Sequence, residues 1–167
     1  PMCGIPHHAF QGYVRTLLDS NLKVAICEQI GDPEQAKGLV ERKITRIITP
    51  ATYLDDETPQ KNLQYMAAVL TNQETAVLAY LELSTGEFYV REVAAERLMD
   101  ELALLWPREV VVPKSLETRE DIGAFIKGTL QAALTVYEDW IFEHEESARL
   151  LSEVFKLGSA KGIAFHD

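Results

Sequence analysis

The sequence has no run of about 18 apolar residues, so nothing in it reads as a membrane-spanning helix. It lacks a charged, apolar, small-residue leader and starts on Pro1, which together read as a cytoplasmic piece of something longer. Cysteine is scarce: only Cys3 and Cys27 occur, without a Cys-x-x-Cys spacing or a nearby His pair. Two reduced thiols are therefore expected, with Cys27 buried in a strand. A phosphate-binding loop is missing as well. Between Gly31 and Gly38 the lysine precedes the second glycine and no hydroxyl follows, against the Walker order, so no nucleotide site is read here. There is no internal repeat and no low-complexity tract.

What is present is an apolar content of 47% over 167 residues, enough for one domain or two small ones with a real core. The net charge of −10 taken whole argues against a nucleic-acid binder. Its distribution reverses that for one segment. Residues 1–50 carry six basic groups against five acidic ones, a net of +1, and the other 117 carry ten against 21, a net of −11. If DNA is touched, the first segment touches it. The acidic remainder suits a protein partner or solubility.

Two apolar runs, 22–27 and 44–49, read as buried strands, joined by a polar connector with Gly31, Asp32, Pro33 and Gly38. Ahead of them, residues 9–20 form a helix with Phe10, Tyr13, Val14, Leu17 and Leu18 on one stripe, stopped by Asn21. Composition turns polar and acidic over 51–62, the expected linker. A β-meander follows, with strands at 63–71, 76–83 and 87–93 and turns at 72–74 and 84–86, where Gly86 suits a positive φ. In its third strand Phe88 and Val90 alternate with a solvated face. Then come a helix at 94–105, a central-type strand at 109–112 and a helix at 116–127 stopped by Gly128. A strand at 132–137 and a helix at 144–157 capped by Gly158 complete the order. Three antiparallel strands followed by alternating helices and strands imply an α/β chain with a helix-covered mixed sheet.

Three separated stretches carry a family resemblance. AICEQIGDPEQAKG with VERK and RIITPAT is similar to the end of the mismatch-recognition domain of MutS proteins, PMCGIPHHA resembles the loop that precedes it, and YLELSTGEF resembles a hairpin of the MutS connector. The resemblance implies the C-terminal part of a mixed α/β mismatch-recognition domain over 1–50. A ribonuclease H-like connector over 63–167 follows, expected to stop short of its final elements. It implies mispaired double-stranded DNA and MutL as partners. It also implies a dimer formed through domains outside this segment, and an ATPase using ATP and Mg that lies downstream, leaving no catalytic site and no cofactor here.

Candidate chemistry is sparse. His7 and His8, adjacent in an extended loop, point apart and do not share a metal. A ribonuclease H-like order raises a metal-dependent nuclease, for which Glu82 sits near the place of a first carboxylate, although an acid on the solvated face explains it as well. A protein-interaction module without a DNA role is the third reading. Arg42, Lys43 and Arg46 form a basic group that composition leaves open between a solubilised edge strand and phosphate contacts. In unbroken alternation Arg42, Ile44 and Arg46 share a face and Lys43 points to the other, exposed to solvent. The resemblance favours DNA, and it places Met2 and Gly4 in a loop near the minor groove, with Cys3 where the family usually has a small Ala. The family's Phe-x-Glu wedge is absent ahead of the matching stretch, so the segment is expected not to discriminate mismatches.

Overall fold

The computed structural model describes residues 3–30, 40–53 and 64–156. The chain divides into two compact units, Pro1–Tyr53 and Leu54–Asp167.

In the first unit a 3-10 turn, His7–Ala9, leads into helix α1, Phe10–Asp19, followed by strands β1, Val24–Gln29, and β2, Arg42–Ile48. Only part of the α1 stripe is covered. Val14 and Leu18 are buried against Ile48 with Phe10, Val24, Ile26 and Tyr53 around them, while Tyr13 and Leu17 stay exposed. The helix ends as Asn21 predicts. Asn21 takes φ 57, its N–H donates to Leu18 O at 2.9 Å, and the N–H of Leu22 reaches back to Leu17 O at 3.1 Å. That double bond pattern closes a helix through one left-handed residue. Asn21→Val should therefore destabilise the unit by about 1–2 kcal/mol, because a β-branched side chain is strained there. Asn21→Gly should cost less than Asn21→Val, because glycine takes that φ without strain, and urea melting followed by circular dichroism separates the two.

Strands β1 and β2 pair antiparallel, but they are not the buried strands that their apolar runs suggest. Of the two only Ile48 is buried, and Cys27 is exposed, as is Cys3. A two-stranded ribbon with a helix on one side has a second face that nothing within it can cover. Ala51 is buried and Tyr53 packs on the α1 cluster, so the start of the expected linker belongs to the first unit. Its remainder lies outside the described residues, as do the turn residues 31–38 and the Gly158 cap.

The second unit opens with the meander. Strands β3, Tyr65–Thr71, β4, Thr75–Glu82, and β5, Glu87–Ala94, are consecutive antiparallel neighbours. Asn72 closes the first turn by accepting the N–H groups of Glu74 and Thr75, each at 2.8 Å, and Gly86 takes φ +74 in the second. Helix α2, Leu98–Leu105, leads to β6, Glu109–Pro113, which lies parallel to β3, and then to α3, Glu120–Ala124. A π-helical turn, Phe125–Thr129, extends α3 before β7, Ala133–Tyr137, and α4, His144–Val154, is the last described helix. The strand order β5-β4-β3-β6-β7, antiparallel then parallel, is the ribonuclease H-like arrangement that the resemblance implied.

One face of this sheet carries the core: Ala67, Val69, Leu78, Val110 and Val112 pack under Leu98 and Leu102 of α2 and Ile122 and Ile126 of the α3 segment. Two expectations need correction. β5 is an edge strand exposed along most of its length, and the face it turns to the core is that of Tyr89 and half-buried Val93, so Phe88 and Val90 are not inward. The α3 segment runs through Gly128 and turns at Gln131, φ 52, because the π turn shifts the register by one residue. Helix α4 has no buried residue, and Val154 is 71% exposed.

Candidate nucleic-acid interface

The basic group lies on β2. Glu28 faces Lys43 across the ribbon, Gln29 faces Arg42 and Ile26 faces Arg46. The register slips between Ile26 and Cys27, so Thr45 is an extra residue on β2, with its hydroxyl 3.5 Å from Ile26 O. A one-residue bulge resets alternation. Val24, Ile26 and Glu28 share one face of β1, so their partners Ile48, Arg46 and Lys43 share that face of β2. Arg42, Ile44 and Ile47 take the other. The expected pairing of Arg42 with Arg46 is thus wrong, and Lys43 and Arg46 stand together beyond the α1 cluster.

All three cations are exposed, Lys43 as expected, and among the described residues none of them forms an ion pair. On the opposite face Ile44 and Ile47 are 57% and 63% exposed. The bulge had a signal in the sequence. Two adjacent isoleucines, Ile47 and Ile48, cannot both point inward, and unbroken alternation from Ile48 would have put Ile44 inside.

Gly4 is exposed in the loop before the 3-10 turn, and a Cβ built on it meets no atom within 4 Å. Among the described residues nothing packs closely enough to require its small size. Met2 lies outside the described residues. His7 and His8 sit in the 3-10 turn rather than an extended loop, and both are exposed. Among the described residues no three His, Cys, Asp or Glu side chains gather as a metal site would need.

Glu82 is not on a solvated face. It is 2% exposed at the end of β4, where one carboxylate oxygen accepts Ser84 Oγ and the N–H of Thr85, both at 2.7 Å. The other accepts the N–H of Gln64 at 3.3 Å. These donors, the Ser84 hydroxyl foremost, hold its carboxyl down at about 2 against the opposing effect of burial. Both oxygens are thus engaged in tying the β4–β5 turn to the start of β3. Beside it, burial and the charges of Glu87 and Glu82 push the Tyr65 hydroxyl above its ordinary range. A second buried acid, Glu109, accepts Thr135 Oγ1 at 2.5 Å.

Among the described residues no helix is long and apolar enough to cross a membrane. Residues 1–57 match the family description MutS domain I, and residues 64–167 match MutS domain II. A protein of Lachnoclostridium phytofermentans named DNA mismatch repair protein MutS is 38% identical across the whole chain. Proteins of the same name from Solibacter usitatus and Rickettsia bellii are 39% and 34% identical over 97% and 98% of it. The chain spans only 18% of the first two relatives and 19% of the third. The chain belongs to the MutS family, with domain I followed by domain II.

Proposed function

We propose that this chain is the part of a DNA mismatch repair protein that lies along the duplex and leads from there to the rest of the machine. Arg42, Lys43 and Arg46 contact phosphates, and Met2 and Gly4 belong to a loop beside the minor groove. The observation that carries this is the set of three exposed cations within five residues of a paired ribbon, with no ion pair among the described residues to neutralise them. Such groups displace counterions and position a duplex without reading its sequence. The open space at Gly4 suits a surface that another molecule approaches closely. The second unit serves as a connector, with MutL as its partner and a dimeric, Mg- and ATP-using assembly completed by other domains. The segment itself performs no catalysis and works in the cytoplasm, where Cys3 and Cys27 stay reduced.

The isolated chain should bind DNA weakly and with equal affinity for matched and G·T-mismatched duplexes, since the cations of β2 contact phosphates and read no bases. Fluorescence anisotropy with both duplexes tests this. Equal, salt-sensitive binding supports the reading, and a clear preference for the mismatch contradicts it.

A further inference from the structure

The edge of the second sheet opposite β5 carries a groove that the DNA reading does not use. It has a volume of about 420 Å³ and lies between the α3 segment and β7. Its floor is Leu134 and Val136 of β7, the last strand in the sheet, whose outer backbone edge has no neighbouring strand among the described residues. Its wall is the α3 segment, where the side chains of Glu120, Ala124 and Lys127 line the groove on either side of Gly123. Gly123 and Ala124 are small, and a Cβ built on Gly123 meets nothing within 4 Å, so the groove stays open under the helix. Glu117 joins Glu120 at the end where the crossover leaves β6, which is the Val136 end, while Lys127 sits towards Leu134.

An unpaired strand edge with an apolar, overhung floor is the setting in which an extended peptide adds a strand. Backbone bonds along β7 supply the register, and every second side chain of the guest enters the groove. Charge selects the guest, because two carboxylates at one end favour a cation there. We propose that this groove docks an extended segment of a partner protein, running antiparallel to β7, with alternating β-branched residues that follow a lysine or arginine. The basic residue lies between Glu117 and Glu120, and two apolar side chains pack on Leu134 and Val136 beneath Gly123 and Ala124.

The probe is the capped peptide Lys-Thr-Val-Thr-Val-Thr, in which the lysine and both valines fall on one face of the strand, titrated into the ¹⁵N-labelled 167-residue chain. The expected result is amide shift changes confined to 117–127 and 133–137. Binding should weaken at least threefold when glutamate replaces the peptide lysine and vanish when proline replaces the central threonine. Gly123→Leu fills the groove and raises helix propensity, so it should keep the fold, seen in an otherwise unchanged spectrum, and weaken binding at least tenfold. Absence of shifts at millimolar peptide, indifference to the lysine-to-glutamate change, or full binding by a folded Gly123→Leu chain each overturns the proposal. None of these outcomes bears on the basic group of β2.

Discussion

Replacing Glu82 by glutamine is expected to destabilise the second unit by about 2 kcal/mol at neutral pH, the scale of lost hydrogen bonds to a charged group. The carboxylate accepts three bonds, from Ser84, Thr85 and Gln64, and a glutamine amide can reproduce those on one side only. Its NH₂ then meets further donors. The effect should depend on pH in a defined direction. Folding holds the Glu82 carboxyl at about 2, below its ordinary 4.5, so the charged form is the one the native state favours. The stability it lends is complete above about pH 4.5 and is lost as the pH falls towards 2. Wild type and Glu82→Gln should accordingly converge in urea midpoint across that window. Asp121, also held at about 2 by its bond to Arg119, titrates alike in both proteins and drops out of the difference. A constant gap between pH 7 and pH 3 would show that Glu82 is not the group responsible.

Leu102→Ala is expected to cost more, about 2–5 kcal/mol, since truncating a buried leucine adds a cavity to the lost transfer energy. Leu102 has no exposed surface and belongs to the cluster formed with Leu98, Val69 and Leu78. Leu104, two residues on and 79% exposed, serves as the control and should change stability by no more than about 0.5 kcal/mol. Equal effects at the two positions would mean that α2 does not pack on the sheet through this stripe.

Much of the second unit was legible because its signals are local. Period-2 alternation, the Asn72 turn and Gly86 place the meander within about two residues, and the three-and-four spacing of Leu98 and Leu102 places α2. The errors came where the deciding partner is distant in sequence. Burial of β1 and β2 depends on what covers each face, which apolar content does not encode, and so Cys27 reads as buried although it is exposed. Glu82 reads as a solvated acid in a strand, and only the return of Gln64 beside it reveals a buried anchor. Gly128 was a plausible helix stop on propensity, but the π turn carried the segment past it to Gln131. At the basic group, the exposure of Lys43 followed from the cost of burying an unpaired cation. Its companionship with Arg46 does not, because it depends on the Thr45 bulge, which strict alternation lacks.

The most direct test is the salt dependence of duplex binding by Lys43→Glu, placed in a full-length MutS protein carrying this sequence as its domains I and II. Glu28 stands opposite Lys43, so the reversal creates a like-charge pair, and Lys43→Gln is the companion that avoids it. Both variants should fold, with stability changes of no more than about 1 kcal/mol. Lys43→Glu should weaken binding to matched and mismatched duplexes by similar factors and make the slope of log affinity against log salt shallower by roughly one. Unchanged affinity and slope in a folded Lys43→Glu protein would contradict the phosphate-contact role and leave the basic group as a solubilising surface.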